Sequence, residues 1–331
     1  MKASFDLIPM ISVHPGQVNL YTQVQWYPSK PAPRKVEHLL ESDKQHHGKF
    51  SDNARRKVSQ AVDYLLFIAD DKHLPDTAHG KGYSFKLAFI TLTLPSTQIH
   101  SDKEIKEQCL NQLLVELRHR YKVRHYVWRA EKQANSNIHF HLLVNKFIPW
   151  SELRDRWNRI CNKLGYVDRY RDQMKQFHQS GFKVRNDLLK TWNYKNQVKA
   201  WREGKKNDWH NPNSTDIHSL YRIHHVKSYI LKYCTKDEKN EIPSGRMWSC
   251  NEELSSIKGA QIIQDTGLTD EIITIQKCYP DKLYSHDHCT IMFVDIHTLY
   301  DLKCYRLFRH FTDYLSTTFN FNIQQLFPGF L

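Results

Sequence analysis

Ile138-His139-Phe140-His141-Leu142-Leu143-Val144 decides the fold. Successive side chains on a strand point to opposite faces. His139, His141 and Leu143 therefore share one face, and Phe140, Leu142 and Val144 the other. The apolar set suits burial under helices while the two imidazoles look the other way. Upstream, Val123 to Glu131 reads as a second strand, and the short polar link Lys132 to Asn137 predicts an antiparallel hairpin. Across that hairpin Glu131 comes level with the histidines. Two neutral imidazoles and a carboxylate make a ligand set for a divalent cation that leaves positions for substrate oxygens and water. A cation so held polarises a bound phosphate.

Working outward, Leu87 to Leu94 reads as another strand, with Phe89, Thr91 and Thr93 alternating with Ile90, Leu92 and Leu94. Its threonines support the site or contact DNA; a purely structural part fits equally well. Ser101-Asp102-Lys103-Glu104 has the capping-box pattern, and Ile105, Cys109, Leu113 and Leu117 follow at intervals of four, giving an amphipathic helix to about His119. Another helix is expected from about Ser151 to Leu164, stopped by Gly165. Ser51 reads as the N-cap of a helix to about Ala69.

Residues 1–50 read as irregular, broken by Pro15, Pro28, Pro31 and Pro33, and 70–84 as a polar loop. Residues 166–211 form a basic, aromatic and mostly helical insertion containing Tyr166, Tyr170, Phe177, Trp192, Tyr194, Trp201 and Trp209. Asn211-Pro212-Asn213-Ser214 marks a turn, after which Asp216 is expected to cap a helix to about Lys236. Beyond it Ile262-Ile263, Ile272 to Ile275 and Ile291 to Val294 look strand-like, and Asp301 to Thr317 helical. The order of elements fits an α+β domain with a central antiparallel β-sheet and flanking helices. Three regions are expected: an N-terminal helical extension over 1–82, the sheet domain over 83–250 with its insertion, and a C-terminal α/β extension over 251–331.

The formal net charge is +13, and its distribution says more than its sum. Residues 118–236 carry 26 basic and 9 acidic residues, whereas 1–117 are nearly balanced and 237–331 are acidic. All the excess lies in the segment that holds the histidines, which points to a polyanionic partner, most often nucleic acid. Seven scattered cysteines without a CxxC suit free thiols in a reducing compartment. No stretch reaches about 18 consecutive apolar residues, so no membrane partner is expected. His286-Asp287-His288-Cys289 reads as a solvated loop, with a structural zinc as the lesser reading.

Tyr229-Ile230-Leu231-Lys232-Tyr233-Cys234-Thr235-Lys236 is a YxxK written twice, offset by one helical turn. Residues four apart on a helix lie on one face. A phenol, with a pKa of about 10, is a poor nucleophile at neutral pH. A neighbouring cation helps the phenolate form and approach an anionic phosphate. Tyr229 and Tyr233 are the candidate nucleophiles, with Lys232 and Lys236 as the assisting cations.

Phe89 to Thr93, Glu131, His139-Phe140-His141 and Tyr229-Lys232 together resemble the HUH endonuclease superfamily, in its rolling-circle replication-initiator branch. The doubled tyrosines are most similar to the two-tyrosine initiators of small circular single-stranded DNA phages and related bacterial plasmids and prophages. Asn211 to Ser219 and Gly245-Arg246-Met247-Trp248 also resemble bacterial-element members, and the likeness covers about residues 83–250.

The resemblance implies an HUH/RRM-like sheet with the catalytic helix packed over the metal-binding strands. It implies Mg²⁺ or Mn²⁺ held by Glu131, His139 and His141, and nicking and rejoining of single-stranded DNA at a replication origin through a 5′-phosphotyrosine. It places the protein in the cytoplasm of a bacterial host. A host polymerase is an implied partner. So is a host helicase, since no GxxxxGK[ST] follows the tyrosines. Aromatic and arginine side chains of 166–211 are expected to stack on bases and follow the backbone. The competing readings are a transposase or relaxase of the same superfamily, and a non-catalytic DNA-binding regulator on the same fold. Tyrosines placed after the histidines favour the initiator over a relaxase.

Overall fold

A computed structural model describes residues 4–27, 51–69, 72–74, 83–220, 228, 232, 241–322, 324 and 327. The chain divides into two compact units, Met1–Gln45 with Ser256–Leu331, and His46–Ser255. Both are mixed α+β units built on five-stranded antiparallel sheets flanked by helices, as an HUH/RRM-like fold requires.

The first unit opens with a hairpin, β1 (Ser4–His14) and β2 (Gln17–Tyr27), where the sequence suggests irregular chain. His14 pairs with Gln17, so Pro15-Gly16 is a two-residue loop joining the strands and not a break in an element. The sheet is completed from the far end of the chain by β10 (Ala260–Ile263), β11 (Leu283–His286) and β12 (Cys289–Met292). β10 pairs with β1 and β12 with β2, so the expected N-terminal helical extension and C-terminal extension share one sheet.

Ile272 to Ile275, strand-like in sequence, lie in the helix Thr266–Cys278, which buries Leu268, Ile272 and Ile275 on one face under the Asp265 N-cap. The helix expected over Asp301 to Thr317 is two, Ile296–Asp301 and Tyr305–Phe319, divided at Lys303 in the left-handed region (φ 59°).

His14 is buried in this unit, and burial pushes its imidazole pKa down to about 4. The unfolded chain, with an ordinary histidine near 6.5, binds the proton first as pH falls. Stability should therefore drop between about pH 6.5 and pH 4, by on the order of 3 kcal/mol at the lower limit. Urea midpoints measured across that window should fall, and His14→Gln should shrink the fall.

The second unit begins with α1 (Asp52–Ile68), capped by Ser51 as the sequence suggests. In the stretch expected to be a polar loop, β3 (Lys72–Leu74) pairs with β4 (Tyr83–Phe85). The central hairpin follows. β6 (Tyr126–Lys132) and β7 (Ile138–Val144) pair antiparallel, and β5 (Ala88–Thr93) lies on the other side of β7. The edges are β8 (Thr215–Ser219) and β9 (Trp248–Cys250), giving the order β8-β5-β7-β6-β9. β8 replaces the start of the helix expected after Asp216. Ile217 pairs with Ile90, and the backbone ladder to β5 accounts for this segment's amides and carbonyls.

One face of the sheet is apolar. Ile90, Leu92, Trp128, Ala130, Phe140, Leu142 and Val144 pack against helices α2 (Asp102–Ile105), α3 (Asn111–Tyr121) and α4 (Trp150–Asn162). The capping box forms as the sequence suggests: Ser101 Oγ accepts the Glu104 N–H, and the Glu104 carboxylate accepts the Ser101 N–H. A π turn, Lys106–Leu110, joins α2 to α3.

Trp157 of α4 is fully buried, meets Phe140 edge-on, and its indole N–H donates to the Thr93 carbonyl at 2.6 Å. Trp157→Ala should cost roughly 3–5 kcal/mol in urea denaturation, from lost burial and a cavity. A loss below about 1 kcal/mol would contradict this account of the core.

Candidate metal centre

The opposite face of the same strands carries the polar residues. Within the ladder Glu131 stands opposite His139, Arg129 opposite His141, Thr93 opposite His139, and Thr91 opposite His141. Cross-strand partners share a face, so register alone collects all six on one side. One ligand atom each from Glu131, His139 and His141 lies within 4.8 Å of the others. Among the described residues this is the one group of three such side chains; His286 to Cys289 contributes none.

Several contacts fix the trio. His141 Nε2 lies 2.9 Å from Glu131 Oε1, and its Nδ1 lies 3.3 Å from Thr91 Oγ1. The Phe89 ring stacks on the His141 ring at 5.1 Å between centroids and 25° between planes. The His139 and His141 rings meet edge-on at 4.6 Å. His139 Nδ1 is buried and has no hydrogen-bond partner among the described residues.

Burial, helped by the neighbouring His141 and opposed by Glu131, pushes the His139 pKa down to about 4. The ring is thus neutral at pH 7, with a lone pair available. Burial raises the Glu131 carboxyl, but the His141 hydrogen bond, both imidazoles and the Arg129 guanidinium outweigh it, and its pKa falls. A carboxylate, a neutral imidazole and an orphaned ring nitrogen converging on one point fit a hard or borderline divalent cation. The hydroxyl at Thr91 holds the far nitrogen of His141, the arrangement that sets a ligand's tautomer and orientation.

Residues 87–238 match the family model of replication-associated protein ORF2. That family is one of rolling-circle replication initiators. The match begins at the residue before β5, spans the trio and the insertion, and includes the doubled YxxK segment. No curated protein and no solved structure matches the chain.

Within the region matched by the initiator family, the sequence expectations for the metal ligands converge in space. Of the tyrosine segment, Tyr229, Tyr233 and Lys236 lie outside the described residues; Lys232 is helical and exposed. Both ends of that segment are anchored. At one edge of the sheet the Leu220 N–H donates to the Leu87 carbonyl at 2.9 Å.

At the other edge the Met247 carbonyl accepts the Ala130 N–H at 2.7 Å, beside Glu131. Just before it, Ser244 is held on both sides: its N–H donates to Asp102 and its carbonyl accepts from Lys106 Nζ. Asp102 is buried and also accepts from Lys132 Nζ at 2.8 Å. Burial raises its pKa, but the hydrogen bonds from Lys132, Gln98 and Ser244 prevail and lower it. The chain from Leu220 to Glu241 thus joins the two edge strands of the sheet whose inner strands carry the trio.

Three contributors escape a reading by motif. Thr91 orients a ligand, Phe89 stacks on it, and Arg129 is a buried cation on the same face. The two-residue period of Phe89, Thr91 and Thr93 is their one signal in the sequence. It places them on a common face, but which face depends on the β5–β7 register.

Proposed function

We propose that this protein initiates rolling-circle DNA replication by nicking and rejoining single-stranded DNA at an origin through a covalent 5′-phosphotyrosine. The observation that carries the reading is the convergence of Glu131, His139 and His141 on one sheet face, within the region matched by the initiator family. Mg²⁺ or Mn²⁺ would be held by these three residues, and when bound supplies Lewis-acid polarisation of a phosphate oxygen.

The remaining chemistry belongs to the chain. The Tyr229 phenolate attacks phosphorus, the bond to the 3′ oxygen breaks, and the 5′ phosphate stays esterified to the tyrosine. One phosphate ester replaces another, so rejoining needs no nucleotide triphosphate. The released 3′-OH primes a host polymerase, with a host helicase opening the duplex. Tyr233 cuts the regenerated origin, and the new 3′-OH attacks the first phosphotyrosine and frees Tyr229. Lys232 and Lys236 favour the phenolates and steady the phosphate. Glu131, ionised, and His139, neutral, are in the protonation states that this site needs at pH 7.

The test is incubation with circular single-stranded DNA of the parent element and Mn²⁺, followed by mapping of protein-linked 5′ ends. A single origin-specific 5′ linkage is expected. Specific duplex binding with no cleavage of any single-stranded origin would favour the non-catalytic regulator instead.

A further inference from the structure

The insertion folds around its own rings. α5 (Tyr166–Phe177) and α6 (Tyr194–Lys206) enclose His178, whose ring lies near-parallel to Phe182 and Trp209, with Trp201 beside Phe182. Gly204 is required there, since a Cβ would sit 2.3 Å from Trp209 Nε1. Gln197 is buried and accepts the Arg185 N–H while donating to the Arg185 and Trp192 carbonyls. Gln197, Trp201 and Gly204 thus mark the inner side of α6. Most aromatics of this segment serve its own core. Trp192 and Tyr194 are the exposed ones, at 38% and 55%.

The outer side of α6 is different. Lys195, Lys199, Arg202 and Lys206 recur at intervals of four, three and four, so they form one stripe, and all are exposed. Among the described residues no carboxylate pairs with any of them. Other cations of this region are neutralised: Lys175 by Asp208, Arg185 by Asp187, Arg156 and Arg159 by Glu116. Tyr194, Lys195, Val198, Lys199, Arg202 and Glu203 line a trough of about 420 Å³ along this helix. The Tyr194 ring stands edge-on against Phe182, which fixes it at the head of the trough.

We infer that this face of α6 is a binding track for single-stranded DNA, formed of residues separate from the metal trio. Its cations step along the helix axis by about 4.5–6 Å, a row that a phosphate chain can follow. A fixed, half-exposed phenol ring at one end offers a stacking platform to an unpaired base, which a paired base inside a duplex cannot use. With no side chain arranged to read base edges, the track holds DNA without sequence preference. Its place in the cycle is to retain the strand while cleavage and rejoining occur elsewhere on the sheet. The binding itself depends on neither metal nor nucleophile.

The test is fluorescence anisotropy of the full chain with a labelled 20-nucleotide oligo(dT), in EDTA, over a range of salt. Lys195→Gln/Lys199→Gln/Arg202→Gln should weaken binding at least about tenfold and reduce the salt slope by about 2, from three lost phosphate contacts. Tyr194→Ala should weaken it roughly fivefold or more with the slope unchanged. Melting temperatures of the variants should match the parent, since the side chains are exposed. Triple-variant affinity within twofold of the parent, at unchanged slope, overturns the track. Equal affinity for a 20-base-pair duplex, with no effect of Tyr194→Ala, also overturns it and assigns the stripe to duplex DNA. Because chelator silences nicking, a failed origin-cleavage assay and a failed binding assay report on different claims.

Discussion

Tyr229→Phe combined with Tyr233→Phe leaves the protein folded and DNA-bound but unable to form a covalent adduct. Each change removes one oxygen and keeps the ring, so packing by either side chain survives. No other group in the proposed reaction can replace the phenolate. Adduct yield on an origin oligonucleotide should fall by roughly 10⁴-fold or more, the scale seen when a covalent nucleophile is lost. Binding in EDTA should stay within about twofold of the parent.

The single variants carry separate information. If Tyr229 makes the first cut, Tyr229→Phe loses the initial adduct, while Tyr233→Phe retains it and fails to release a closed circle. The opposite pattern reverses the order of the two phenols and leaves the chemistry intact. An adduct that persists in the double variant, mapped to a different residue, would remove both tyrosines from the nucleophile role.

The site was legible in the sequence because its key geometry is local. His139 and His141 are two apart on one strand, and Glu131 is joined to them by a short polar link, so period and hairpin fix their common face. The capping box at Ser101 was legible for the same reason: three residues decide it. What escaped depends on distant partners. β1 and β2 became recognisable as sheet only against β10 and β12, more than two hundred residues away, and a proline-glycine loop reads equally well as a break.

Thr215 to Ser219 follows an Asx-rich turn that would also begin a helix; the free edge of β5 makes it a strand. Ile272 to Ile275 have β-branched side chains favourable to a strand, yet Leu268, Ile272 and Ile275 at helical spacing bury one face, and tertiary packing prevails. The insertion's aromatics suggested base stacking by their number, and the fold uses most of them against one another. Composition could reveal an aromatic-rich segment but not which rings would be left in solvent.

His139→Ala and His141→Ala should each abolish Mn²⁺-dependent nicking, with a loss of roughly 10³-fold or more, since Lewis-acid stabilisation of a phosphate is worth several kcal/mol. Glu131→Gln keeps the shape and removes the charge that lets the site accept a dication, and should weaken Mn²⁺ binding in calorimetry. Thr91→Val is the graded control. It leaves all three ligands in place but takes away the hydroxyl at His141 Nδ1, so a decrease of about 10–100-fold in metal affinity or rate is expected. Excess chelator should silence the parent protein and excess Mn²⁺ restore it. None of these changes touches α6, so oligo(dT) binding in EDTA should be unaltered throughout. Metal titrations supply a readout independent of turnover: two ligand variants that bind Mn²⁺ as tightly as the parent would show that the trio is a hydrogen-bonded cluster. Nicking undiminished by chelator would place the reaction outside the histidine face altogether.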